Sequence, residues 1–152
     1  MIEVMVDEGL DVPFSQEMIK NTVETSCFEA KKFKNPSVCI RFASHAVVRQ
    51  LNAKWRNQDK VTDVLSFPMQ EPEALNHSES LGDMILAIPF VLDEAARLNI
   101  AQDAHIYHLI AHSTLHLLGY DHMNDVEAEH MQRLENAIMA KLGLHTPYPE
   151  WS

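Results

Sequence analysis

Five of the nine histidines in this chain lie between His105 and His122. The densest run is His112-Ser113-Thr114-Leu115-His116-Leu117-Leu118-Gly119-Tyr120-Asp121-His122. His112 and His116 are one helical turn apart in a segment of helical periodicity, so both rings project from one face, within reach of a single ion. Gly119 stands just past the last helical residue, where a left-handed turn is needed and a Cβ costs energy. That turn can carry His122 back toward the other two. Three imidazoles around one point are the ligand set of an open tetrahedral Zn2+ site, one ion per chain, with the fourth position free for water or substrate.

The three histidines and the glycine keep the spacing of the long zincin motif, His-Glu-x-x-His-x-x-Gly-x-x-His. The departure is at position 113, where Ser replaces the Glu that serves those proteases as general base. A hydroxyl cannot take over that role without an activating base of its own. A zinc metalloprotease is therefore the weaker reading. His105 and His108 occupy the same helix, one and two turns earlier, and are expected on its surface, although His108 shares a face with His112. Asp121 has two readings: a carboxylate orienting a ligand imidazole through its free N–H, or a turn-forming residue.

Periodicity identifies the elements that must position this cluster. Ile2–Val6 reads as a short strand. Ser15 caps a helix whose buried stripe is Ile19, Val23, Cys27 and Ala30, with Phe14 stapled against Ile19. Pro36 ends that pattern, and Val38, Ile40 and Phe42 alternate as a second strand. Ser44 caps a helix carrying Val47, Leu51 and Trp55. Val64–Phe67 and Met84–Ile88 supply two more strands, separated by an exposed, mobile loop over Met69–Leu81. Helices then run from Phe90 to about Asn99, Asp103 to Leu118 and Asp125 to Leu142. The last opens on an Asn124/Glu127 capping box and stops at Gly143. The tail, residues 146–152, has two prolines and is expected to fray. Strands alternating with helices, followed by helices alone, indicate an α/β or α+β fold in one domain spanning residues 1–152.

Composition narrows the function. At 152 residues, with 46% hydrophobic and 22% charged, the chain can bury a core, which excludes wholesale disorder. The longest apolar run, Met84–Leu92, is broken by Pro89 and is far short of the ~20 residues a spanning helix needs, so no membrane partner is expected. The opening Met-Ile-Glu-Val feeds no basic segment into an apolar one, and Cys27 and Cys39 sit inside apolar segments as buried thiols. Both point to the cytoplasm. The net charge of −10 argues against a nucleic-acid partner until its distribution is considered. Residues 1–19 carry −5, residues 20–60 carry +6 and residues 61–152 carry −11. Nine of the twelve Lys and Arg fall in that middle stretch, which hints at an anionic partner on one face.

The His112–His122 segment closely resembles the signature of the YbeY family of bacterial rRNA maturation factors, His-Gly-x-Leu-His-Leu-x-Gly-Tyr-Asp-His, with Ser113 in place of the usual Gly. A second block, Asn52 to Pro68, resembles the family's Arg-x-x-Asp-Lys-x-Thr-Asp/Asn-Val-Leu-Ser-Phe-Pro, with Val61 where proline is common. Leu81-Gly82-Asp83 matches as well, in the family's order. The resemblance implies a mixed, mostly parallel four-stranded sheet packed with about five or six helices, the metal lying in a cleft. It implies a zinc-dependent, single-strand-specific endoribonuclease acting in rRNA processing, on small-subunit rRNA 3′-end maturation, with the small ribosomal subunit as partner. Arg56 corresponds to the family's cleft arginine, and Arg56 and His116 are the candidate catalytic residues. A guanidinium beside the ion can fork onto a phosphodiester and stabilise the charge of its transition state; the competing reading pairs Arg56 with Asp59 on the surface. Lys60 is a candidate phosphate contact. The alternative to an enzyme is a ribosome-assembly or RNA-binding factor whose metal mainly holds the cleft together.

Overall fold

The computed structural model describes residues 1–151. Four strands form one mixed sheet: β1 (Ile2–Val6), β2 (Val38–Ala43), β3 (Val64–Pro68) and β4 (Gly82–Ala87), in the order β1-β2-β4-β3. β1, β2 and β4 run parallel, and β3 returns antiparallel along the outer side of β4. The helices are α1 (Gln16–Lys31), α2 (His45–Arg56), α3 (Phe90–Arg97), α4 (Gln102–Leu117) and α5 (Asp125–Lys141), and the tail closes with a 3₁₀ turn at Pro149–Trp151. This is the α+β domain implied by the sequence, with five helices. Among the described residues, no helix is long and apolar enough to cross a membrane.

The helix starts are chemically specified. Ser15 Oγ accepts from Met18 N, Ser44 Oγ from Val47 N, and Asn124 Oδ1 from Glu127 N, at 3.3, 3.3 and 2.9 Å. Each bond satisfies an otherwise orphaned amide at a helix N-terminus. Glu127 Oε2 reaches back to Met123 N at 3.2 Å, one residue before the cap.

The two faces of the sheet bury different layers. Ile40, Phe42, Met84 and Leu86 pack with Ile19, Val23 and Cys27 of α1 and with Ile106 and Ile110 of α4. Ala43, Leu65, Ile85 and Ala87 pack on the other side around Val48 of α2. α4 is the central element. Eleven of its residues are buried, including Ser113, Thr114 and His105, because the sheet, α1, α3 and α5 all contact it. Its partly exposed stripe is His108, His112 and His116, and the polar side chains on its buried faces must find partners inside the protein.

Four local features add to or depart from these expectations. Phe14 packs on the core cluster that holds Ile19, and its ring also lies against Phe42, centroids 5.2 Å apart. Trp55 is 60% exposed, since α2 covers the sheet with Val48 while Trp55 points past its edge. The Met69–Leu81 loop is organised around one side chain: Gln70 donates to the carbonyls of Asn76, Glu79 and Ser80 and accepts from Asn76 N. The tail does not fray over its described residues. Asn136 holds the Tyr148 backbone at both N and O (3.1 and 2.9 Å), and Trp151 Nε1 donates to Gln132 at 2.6 Å. Ser152 lies outside the described residues.

Candidate metal centre

The last turn of α4 assembles the histidines. Gly119 adopts φ +101°, and Tyr120 N returns to Leu115 O at 3.0 Å, so the chain reverses directly behind His116. A Cβ on Gly119 would stand 2.5 Å from Pro72, so this position excludes side chains by space as well as by conformation. Tyr120 Oη donates to Ala30 O at 3.1 Å and pins the turn to α1. Asp121 Oδ1 accepts from His122 N at 2.8 Å, which fixes the backbone of the third histidine. Of the two readings of Asp121, this hydrogen bond is the turn-forming one.

The result is a cluster in which one ligand atom from each of His112, His116 and His122 lies within 4.8 Å of the others. His112 Nε2 and His116 Nε2 are 3.1 Å apart. Nitrogens about 2.0–2.1 Å from a tetrahedral zinc stand roughly 3.4 Å from one another. The donor set therefore fits a divalent cation. Among the described residues this is the one group of three or more His, Cys, Asp or Glu that can hold a metal ion.

Electrostatics prepare the rings for that role. Burial, reinforced by the charges of His112 and His122, lowers the His116 pKa to about 4, so this imidazole is neutral at neutral pH, the form that ligates. Burial works against a proton on His112 too. There it is outweighed by the hydrogen bond and charge of Glu135, and the pKa is raised. Glu135, on α5, is the residue that sequence reasoning missed. It is 1% exposed, and its Oε1 accepts from His108 Nε2 at 2.7 Å, His112 Nδ1 at 3.2 Å and Tyr148 Oη at 3.2 Å. Burial alone would raise its pKa, but the hydrogen bonds from His108 and His112 hold it at about 2. A carboxylate on a ligand imidazole fixes the tautomer that leaves Nε2 free for the ion. The signal was present: Glu135 falls on the stripe of Met131, Leu134, Ile138 and Leu142, where an acid has no reason to be buried unless something pairs with it.

His105 and His108 are not surface residues. His105 is 4% exposed and meets Glu94 of α3 at 2.7 Å, while His108 is bonded to Glu135, because α3 and α5 close over that side of α4. Ser113 is fully buried, its Oγ 2.6 Å from Ser66 Oγ of β3, so it joins helix to sheet.

The histidines open into a cleft of about 630 Å³ lined also by Arg56, Thr62, Asp63, Ser66 and Asp121. Arg56 donates from Nη2 to Ser66 O and lies over the Phe67 ring at 5.6 Å. Asp59 pairs with Arg49, at 2.8 Å, and not with Arg56. Arg41 is likewise held by Asp7, so two of the nine cations in the basic stretch are already paired. Lys60 is exposed and is not among the residues lining the cleft.

A family model described as Endoribonuclease YbeY matches residues 6–143. The chain belongs to the YbeY family. It is 41% identical to the Endoribonuclease YbeY of Acinetobacter baylyi, covering 92% of this chain and 91% of the relative. It is 45% identical to that of Sinorhizobium fredii, covering 97% and 91%. The fold is shared with the solution structure of TM1509 from Thermotoga maritima, at TM-score 0.58 and 22% identity, covering 97% of this chain and 98% of that one. The YbeY signature of this chain thus coincides with the turn that gathers its histidines, and its Asn52–Pro68 block with the α2–β3 segment that brings Arg56 to the same cleft.

Proposed function

We propose that this YbeY chain cleaves single-stranded RNA with one zinc ion held by His112, His116 and His122, in rRNA processing at the 3′ end of small-subunit rRNA. Membership in a family of endoribonucleases makes the chain an RNA-cleaving hydrolase. One observation carries the finer reading: three converging imidazoles and an arginine share a single polar cleft. A bound zinc ion supplies Lewis acidity toward a phosphoryl oxygen and lowers the pKa of bound water. The protein's own residues do the rest. Glu135 orients His112 and keeps its Nδ1 protonated. Arg56 spends one donor on the Ser66 carbonyl, which steadies the guanidinium, and has further N–H groups for a phosphodiester. Asp63 and Asp121 line the same cleft beside the histidines, so the ion and Arg56 supply the positive charge that a phosphate needs there.

Ser113 argues against peptide hydrolysis more firmly than its type alone. Its hydroxyl is engaged with Ser66 inside the helix–sheet contact and cannot act as the missing general base. The small ribosomal subunit is the partner this reading implies, and the cytoplasm its compartment. The test is cleavage of single-stranded RNA by zinc-reconstituted protein cleared of contaminating nuclease, with and without chelator, zinc being measured on the same sample. Chelator-sensitive cleavage at one zinc per chain supports the proposal. Stoichiometric zinc and tight RNA binding with no cleavage would establish the alternative, an assembly factor with a structural metal.

A further inference from the structure

A second cavity lies beside the metal cleft and has no role in the reading above. It encloses about 490 Å³, within the roughly 300–1,000 Å³ typical of small-ligand sites, and Asp63 and His112 line both spaces. Its walls come from three elements: His105 and Leu109 of α4, Leu98 and Ile100 after α3, and His145, Pro147 and Tyr148 of the tail. Three buried ring nitrogens on these walls have no protein partner: Nδ1 of His105, and Nδ1 and Nε2 of His145. His105 is 4% exposed, with its other nitrogen fixed on Glu94, so its free Nδ1 is held in a set orientation. Buried polar atoms of this kind are nearly always bonded, which makes them the groups a ligand would satisfy.

We infer that this cavity receives one nucleobase of the RNA whose backbone lies in the metal cleft, an inference that rests on the endoribonuclease reading. Leu98, Ile100, Leu109 and the Tyr148 ring offer apolar and aromatic surface to the faces of a flat heterocycle. Glu94 and Asp63 stand on the same walls, so a phosphate is repelled where a neutral base with exocyclic amino groups is not. A second metal ion is the poorer occupant, because the one convergent ligand group among the described residues is His112, His116 and His122. The walls are already in place: Asn136 holds Tyr148 at both backbone atoms, and Tyr148 Oη rests on Glu135. A base reaches such a cavity only when unstacked and unpaired, so the cavity itself selects single strands over duplex.

The test is an abasic scan. In a short oligoribonucleotide with one mapped cleavage site, an abasic ribonucleotide replaces each position in turn, and both kcat/KM and the Kd of a 2′-O-methyl copy are measured on zinc-loaded protein. One position beside the scissile bond should lose about tenfold in both, the usual contribution of a stacked base. His145→Phe removes both free nitrogens and keeps the bulk; Leu98→Trp fills the cavity from its rim, where Leu98 is 49% exposed. In each variant, checked for zinc content and thermal unfolding, the penalty at that position should shrink to about twofold or less. A flat scan in RNA that is bound and cleaved overturns the pocket alone, and so does a penalty unchanged in both variants. RNA neither bound nor cleaved overturns the endoribonuclease reading, and the pocket with it.

Discussion

Replacing Glu135 by Gln removes one charge from a place where little else can move. The three donors on Glu135, from His108, His112 and Tyr148, all converge on Oε1, and the amide oxygen of Gln can occupy that position. The variant therefore keeps the hydrogen bonds and loses only the charge behind them. A hydrogen bond to a charged group contributes about 1.5–3 kcal/mol and a neutral one about 0.5–1.5, so the restraint on His112 weakens by about 1–1.5 kcal/mol. That corresponds to roughly tenfold weaker zinc binding, at the low end of the 10–100-fold typical when the partner of a ligand histidine is changed. Glu135→Ala strands the donors of His108 and Tyr148 as well, at roughly 1–3 kcal/mol for each buried group left unbonded. It should lower the melting temperature of the metal-free protein, whereas Glu135→Gln should barely move it. The assay is competition for zinc against a chromophoric chelator, with thermal unfolding of the stripped protein alongside. Unchanged zinc affinity in Glu135→Gln would refute the role given to this carboxylate.

Arg56→Ala should keep its zinc and its fold while single-turnover cleavage at saturating protein falls roughly 10²–10³-fold; Arg56→Lys should recover only part, and equal rates would remove Arg56 from the chemistry. Ser113→Glu should create no peptidase activity on casein. It forces a carboxylate into a fully buried position whose one neighbour in hydrogen-bond reach is Ser66, so a large loss of thermal stability is expected, and a stable, caseinolytic variant would contradict the geometry. In metal-stripped protein, His116 has its pKa lowered from 6.5 to about 4, so the unfolded chain takes up that proton first and stability falls as pH drops through this window. Melting temperature followed against pH should show a shallower slope there in His116→Phe than in the wild type, and identical slopes would refute the assignment.

The histidine cluster was legible because every part of that signal is local. A helical pair, a glycine that must turn and a third histidine just beyond it lie within one short segment, and α4 needs only to be a helix for them to meet. The strand and helix order was legible for the same reason, through caps such as Ser15, Ser44 and Asn124. Glu135, His108 and Ser66 were not, because their meaning depends on which helix or strand lies across α4. The tail was misread because its prolines suggested fraying, while the residues that hold it, Gln132 and Asn136, are half-buried polar side chains of α5 whose partners lie in the tail itself.

β3 is an edge strand, paired with β4 on one side and bordering the cleft on the other. An open strand edge is a template for joining another chain, and proteins defend such edges with charge, with proline, or by occupying the free backbone groups. Here the defenders are also cleft residues. Arg56 takes the Ser66 carbonyl, Asp63 stands at the start of the strand, and Pro68 ends it. Residues that line the cleft therefore also cover that edge, and the two duties separate only by measurement. Any variant of Arg56 uncovers an acceptor on that edge, so its loss of turnover has to be measured beside its light scattering, at several protein concentrations, before the deficit is assigned to chemistry.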